Sequence, residues 1–292
     1  MDWTHEAIAY LRDAEHWSYA ATGTGGSEPA ALAALALMAH GEHAAARRAL
    51  DWLAAQQAAD GSVGVATGRP EPRWPTALAI LAWRGAMRAD ESGREYADHM
   101  ERAVAWALVA AGEPVEAPGV IGHDGSLRGW PWVAGTHSWL EPTALFVLAL
   151  RAAGHDGHAR TREAVRVLVD RLLPEGGCNY GNTVILGQTL LPHVQPTGIA
   201  MLALAGERIV DERIERSLAL LERASRDGAP TASLCWALLG LAAHGRTPDD
   251  TEGMLAAAWR RARERGTHRT ALLVLAARGR HSPLVDVRRS AA

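Results

Sequence analysis

One phrase, written six times along the chain, constrains the fold more than any other feature. It appears as Glu28-Pro-Ala-Ala-Leu-Ala-Ala-Leu-Ala-Leu, Trp74-Pro-Thr-Ala-Leu-Ala-Ile-Leu-Ala-Trp, Glu141-Pro-Thr-Ala-Leu-Phe-Val-Leu-Ala-Leu and Gln195-Pro-Thr-Gly-Ile-Ala-Met-Leu-Ala-Leu, with shorter echoes at Ala229-Pro-Thr-Ala and Arg269-Thr-Ala-Leu-Leu-Val-Leu. Self-similarity of this kind marks a repeat architecture, in which each unit buries its apolar face against the next. Proline preorganises φ and needs no donor at the first helical position, so each phrase reads as a helix start. The helices that follow are apolar nearly all round, as expected of helices enclosed by neighbours.

Between the phrases lie segments with a single apolar stripe and many charges, at 3–14, 43–58, 94–111, 158–172, 210–224 and 249–264. Six enclosed and six amphipathic helices in alternation predict an all-α fold, an (α/α)6 toroid with six inner and six outer helices. The chain is rich in Ala and poor in Val and Ile, which agrees with helix and not with sheet. A single domain over 1–292 is expected, with 281–292 as a flexible C-terminal tail. Inner-to-outer links are short, whereas the outer-to-inner links 59–73, 112–140 and 173–194 are long. Alternation of direction brings every long link to the end where the inner helices begin, and long loops in a compact domain are where sites are built.

Composition narrows the function classes. All 30 basic residues are Arg, so Schiff-base chemistry and a phosphate-binding P-loop lysine are excluded. A formal net charge of −3 from 30 bases and 33 acids argues against nucleic acid as partner. No apolar run is long enough for a bilayer span. Acids from the second residue and no basic leader point to the cytoplasm. Cys178 and Cys235 stand alone without a CxxC, so no disulfide and no metal is expected, and no cofactor motif is present.

The segments Trp52-Leu-Ala-Ala-Gln-Gln-Ala-Ala-Asp-Gly-Ser-Val-Gly and Leu172-Leu-Pro-Glu-Gly-Gly-Cys-Asn-Tyr-Gly-Asn resemble the Gln-rich turns of the prenyltransferase and squalene-cyclase (terpenoid cyclase) repeat family, with Val63 and Cys178 where that family has Trp. The resemblance covers about 28–280 and implies an α/α toroid that takes an isoprenoid or similar apolar ligand. It also implies where function would sit, at the starts of the inner helices. Class II terpenoid cyclases carry DxDDTA there. Laying its TA on Thr143-Ala144 puts Trp139-Leu140-Glu141-Pro142 over DxDD, which makes Glu141 the counterpart of the acid that protonates the polyprene. No DxC opens an inner helix, so the zinc-dependent protein prenyltransferases are not matched. Asp249-Asp250-Thr251-Glu252 stands before an outer helix, at the wrong end for a diphosphate-binding acidic cluster.

The residues themselves leave several readings open. Glu141, and Glu28 in the same slot of another repeat, either cap their helices or, for Glu141, supply a poised neutral acid raised by burial. Trp130, Trp132 and Trp139 either line a cavity for an isoprenoid chain or plug the barrel mouth. His137 either lies near Glu141 and shares its proton or joins His123, His193 and Cys178 among loop residues without metal spacing. Trp74, Tyr180, Gln195 and Glu28 complete the expected ligand-binding set around the catalytic pair Glu141 and His137. Gly23–Ser27 is a turn or a weak phosphate cradle, and Arg73 and Arg128 are the cations nearest the mouth. The alternative to an enzyme is a non-catalytic ligand-binding or partner-dependent scaffold. Peripheral membrane contact, a protein partner and self-association stay open.

Overall fold

The computed structural model describes residues 2–89, 91–116, 120–261 and 266–287. Among them are twelve α-helices: α1 (Trp3–Arg12), α2 (Ser27–Met38), α3 (His43–Ala55), α4 (Thr76–Ala89), α5 (Ala97–Val109), α6 (Leu140–Ala152), α7 (Ala159–Asp170), α8 (Val194–Leu204), α9 (Glu212–Arg226), α10 (Thr231–Ala243), α11 (Thr251–Arg261) and α12 (Thr267–Ala277). Among the described residues the fold is all-α apart from one small hairpin, β1 (Val184–Ile185) paired antiparallel with β2 (Gln188–Thr189). The even-numbered helices carry the repeated phrase, and every residue of α6 is buried. The odd-numbered helices are the amphipathic ones; the end of the expected outer helix at 262–264 lies outside the described residues. No helix among the described residues is long and apolar enough to cross a membrane.

Packing follows the repeat. α2 lies against α4, α4 against α6, α6 against α8, α8 against α10, α10 against α12, and α12 returns to α2. Each odd-numbered helix covers an even-numbered neighbour: α3 packs on α2, α5 on α4, α7 on α6, α9 on α10, and α1 and α11 on α12. Sequence ends are drawn together by indoles, with Trp3 Nε1 donating to Glu252 at 2.5 Å and Trp259 Nε1 to Glu6 at 3.2 Å. The α8 and α10 helices touch backbone to backbone. A Cβ on Gly198 would stand 2.5 Å from the Trp236 carbonyl oxygen, which only glycine tolerates.

The prolines do not sit where the repeated phrase suggests. Pro29, Pro142 and Pro196 are each the third residue of their helix, whereas Pro75 and Pro230 stand just before theirs. The first four N–H groups of a helix have no intrahelical acceptor, so proline fits anywhere in that turn and does not fix the first residue.

The threonine after the proline has a clearer role. Thr76, Thr143 and Thr197 each take, on Oγ1, the backbone N–H of one residue in the preceding loop: Val63 (2.8 Å), Trp130 (3.0 Å) and Cys178 (2.9 Å). Thr267 takes the N–H of Ser18 in the same way, at 2.7 Å. Val63, Trp130 and Cys178 are thus equivalent positions, all wholly buried. Of the three, Trp130 alone supplies the indole that the first and third turns lack.

At the opposite end, α12 runs into a 3-10 turn (Gly279–His281) and then a tight strap that reaches Val287. By its terminal position, 281–292 reads as a flexible tail in the sequence. Instead Leu284 is wholly buried, Val287 is buried, and Arg88 donates to the Asp286 carbonyl at 3.2 Å. Apolar residues outweigh the terminal position: Pro283, Leu284, Val285 and Val287 have the ends of the even-numbered helices to pack on. Residues 288–292 lie outside the described residues.

Candidate functional site

Loops preceding the even-numbered helices interlock above the helix starts. The Leu140 N–H donates to the Tyr180 carbonyl at 2.9 Å, and the Ser27 N–H to that of Val65 at 2.9 Å. Trp130 bridges Trp139, and Cys178 bridges His193. Two of the carboxyl groups at this end, Glu28 and Glu141, are each on the second residue of a helix.

Both stand in the first turn, where the dipole favours an acid, but their side-chain hydrogen bonds among the described residues go to Tyr19 and Gln195 and not to free backbone N–H groups. Glu28 turns to other partners. The Tyr19 hydroxyl donates to it at 2.5 Å, and His268 Nε2 approaches it at 3.2 Å, an ion-pair distance off hydrogen-bond alignment. Burial works to raise the Glu28 carboxyl, but the charge on His268 and these contacts hold it below the usual carboxylate range.

Among the described residues no cation pairs with Glu141. The residue is 4% exposed, and the amide of Gln195 donates to its carboxyl at 3.1 Å. Burial pushes this carboxyl up to about 7; the Gln195 bond opposes the shift and the negative charge of Glu28 adds to it. A side chain of this kind exchanges a proton near neutrality, as a general acid must. Glu28, Glu141 and Gln195 are therefore brought together.

His137 is not part of that group. Its ring packs on Trp139, with centroids 4.5 Å apart, and its pKa is lowered by burial and then by Arg171. The same Arg171, after burial, helps lower His123 to about 4. His137 thus belongs to a cluster with His123 and Arg171. No hydrogen bond joins it to Glu141, and the proposed proton sharing has no contact to run through. In the extended 137–139 segment His137 shares a side with Trp139, on which its ring is packed.

The tryptophans divide likewise. Trp139 is half-buried against His137 and Gly181. Tyr180 is exposed and packs on His193, centroids 4.8 Å apart. Trp74, Trp130 and Trp132 meet elsewhere, around a pocket of about 420 Å³ between the 71–74 loop before α4, α5, α6 and the 130–135 loop. Trp74 and Trp132 stand edge to face at 4.9 Å and form one wall. Trp130 stacks on Phe146 at 4.8 Å and donates Nε1 to the Ala107 carbonyl at 3.0 Å, while the Arg160 guanidinium covers its ring at 4.4 Å. Trp106, 6.0 Å from Phe146, completes the lining, with Glu71, Arg73 and Glu113 among the polar residues. Glu141 does not line this pocket.

Sequence reasoning missed Trp106 and Phe146, which look like ordinary members of helix stripes, Tyr19, in the loop nine positions before Glu28, and His268, which lies far from it in sequence. The expected anion ligands are engaged elsewhere. Arg73 pairs with Asp60 and Glu71, and Arg128 donates to the Gly112 carbonyl. In the Gly23–Ser27 loop the N–H groups of Gly23, Gly26 and Ser27 already bond to carbonyls, which removes the phosphate cradle. Cys178 and Cys235 are free and buried, and burial pushes the Cys178 thiol up to about 12 and Cys235 further. Neither is a nucleophile at neutral pH. Among the described residues no group of three His, Cys, Asp or Glu could hold a metal ion.

No protein-family model matches the sequence, and no curated protein matches it.

Proposed function

We propose that the chain is an (α/α)6 toroid of the prenyltransferase and squalene-cyclase repeat kind, and that it binds an isoprenoid or similar apolar chain in the aromatic pocket. The toroid is supported by the closed order of helix contacts from α2 round to α12 and back. The repeat kinship rests on the Gln-rich turns and on the shared clamp by which a helix-start threonine holds the residue at the family's Trp position. One observation carries the ligand: a pocket of about 420 Å³ lined by the half-buried Trp74, Trp106 and Trp132, with Trp130 and Phe146 buried behind them. Its volume and lining are those of sites that take small apolar molecules, and its ring faces suit the π-rich, methyl-branched surface of a prenyl chain.

Calorimetric titration with farnesol, alongside the unbranched dodecanol, tests this reading. Saturable binding of farnesol is expected, weakened about tenfold by Trp132→Ala through loss of one aromatic wall. Glu141→Gln should leave it unchanged. Absence of saturable binding to both alcohols, or binding indifferent to Trp132→Ala and Trp74→Ala, overturns it.

A second reading, acid-initiated cyclisation, is favoured by one observation: Glu141 is a buried carboxyl held protonated to about neutrality without a cation partner. The lining of the aromatic pocket does not include this acid, so binding is the leading reading and catalysis the second. Incubation with squalene and with prenyl diphosphates, followed by extraction, separates them. Cyclised product made by the parent protein and lost in Glu141→Gln establishes the acid; no product in either leaves a binding protein.

A further inference from the structure

At the end away from the interlocked loops, the strap 279–287 closes over the C-terminal ends of the even-numbered helices and leaves a pocket of about 270 Å³ beside α2 and α4. Its apolar lining includes Leu35, Met38, Leu81 and Val287. Gly85 lines it too, where a Cβ would meet Met38 and Leu35 at 3.1 and 3.2 Å. Around this floor stand three arginines: Arg84 and Arg88 from α4, and Arg278 from the end of α12.

What sets these three apart is their convergence on one hollow, since arginines without an acidic partner, such as Arg128, occur elsewhere among the described residues. Elsewhere, arginines such as Arg73, Arg151 and Arg246 are paired with carboxylates. Arg84 donates Nε to the Ala152 carbonyl at 3.0 Å and Arg88 donates to the Asp286 carbonyl, while among the described residues no carboxylate side chain pairs with Arg84, Arg88 or Arg278. Asp286 is the single acid in the lining, against three arginines and His281. The helix ends that meet here carry partial negative charge, and an arginine there offsets it. Arg84 reaches the last carbonyl of α6 and Arg88 the strap, and both open onto the same apolar-floored hollow as Arg278.

We infer that this pocket binds a small amphiphilic anion, its phosphate or carboxylate on Arg84, Arg88 and Arg278 and its short apolar body on Leu35, Met38, Leu81 and Val287. The guanidinium group offers a planar fork of donors suited to both head groups. Because the strap forms one wall, a bound anion also holds residues 279–287 against the helices. This site is separate from the aromatic pocket and does not depend on what that pocket binds.

The test uses the whole chain and three probes, hexyl phosphate, hexanoate and inorganic phosphate, with binding read by calorimetry. At least one hexyl-chain anion is expected to bind more tightly than inorganic phosphate and to weaken as salt is raised. Arg84→Gln and the exposed Arg278→Gln should each weaken it, by roughly tenfold for a lost charge-assisted bond. Arg278→Gln lies at a helix end, so it also reports should Arg84→Gln fold poorly. Hydrogen exchange in 279–287 should slow when the anion binds. No binding of any probe, equal affinity for inorganic phosphate, or binding indifferent to both substitutions overturns the inference.

Discussion

Glu28 and Glu141 occupy one slot of one repeated phrase, yet they meet opposite fates. Both are the second residue of a helix, both precede proline, and both are withdrawn from water at the same end of the molecule. Glu28 has His268 and Tyr19 against it and is held below the usual carboxylate range; Glu141 has only the neutral Gln195 and is raised to about 7. Position in the repeat thus sets where a carboxyl stands. The neighbouring helix start sets its charge: α12 supplies an imidazole to α2, and α8 supplies an amide to α6. An ionised acid and a neutral acid can in this way be made from the same local sequence.

The largest effect should come from Glu141→Gln as a function of pH. Because the folded-state carboxyl titrates above its unfolded counterpart, the contribution of Glu141 to stability is full below pH 4.5 and is lost as pH rises to about 7. The loss is on the order of 3 kcal/mol. Chemical denaturation across this range should show the decline in the parent protein and a flatter profile in the variant; parallel profiles would break the comparison.

Next in size is His268→Leu, which strands the Glu28 carboxylate. A buried pair broken on one side is costly, and with Glu28 partly exposed the loss at pH 7 should be on the order of 2 kcal/mol, read as a lowered denaturation midpoint. Glu28 stabilises the fold above the ordinary carboxylate range and ceases to as pH falls through its depressed value, the reverse of Glu141. Stability at acid pH should therefore differ less between the parent and His268→Leu than stability at neutrality.

Smaller changes sharpen the contrast. Gln195→Leu removes the hydrogen bond that opposes the Glu141 shift, so its midpoint should climb further, by about 1 kcal/mol in equivalent terms, visible in a carboxyl 13C titration. Tyr19→Phe should raise Glu28 in the same experiment but cost only a few tenths of a kcal/mol, because Tyr19 is half exposed.

The helices were legible because the signal is periodic: six apolar phrases and six charged stripes fall on twelve helices within a few residues. Helix order and the crowding of loops at one end follow from the same alternation. Partnerships across repeats were not legible. His268 lies 240 positions from Glu28, as their numbers in the sequence give, and nothing near either residue marks the pair. Trp130, Trp132 and Trp139 are close in sequence, but Trp130 and Trp132 line the aromatic pocket while Trp139 packs on His137, so adjacency misled where periodicity did not. The strap was missed because a terminal segment is read by position, whereas Leu284 is fixed by the apolar helix ends that await it.

The aromatic pocket is the centre of the functional account, and its occupancy can be seen directly. With indole nitrogens labelled by 15N, the 11 tryptophans each give one side-chain N–H signal. Titration with farnesol should shift those of Trp74, Trp106, Trp130 and Trp132 together and leave Trp3 and Trp259, at the far side on α1 and α11, in place. Shifts spread evenly over all the indoles, or confined to those outside the pocket, would contradict it.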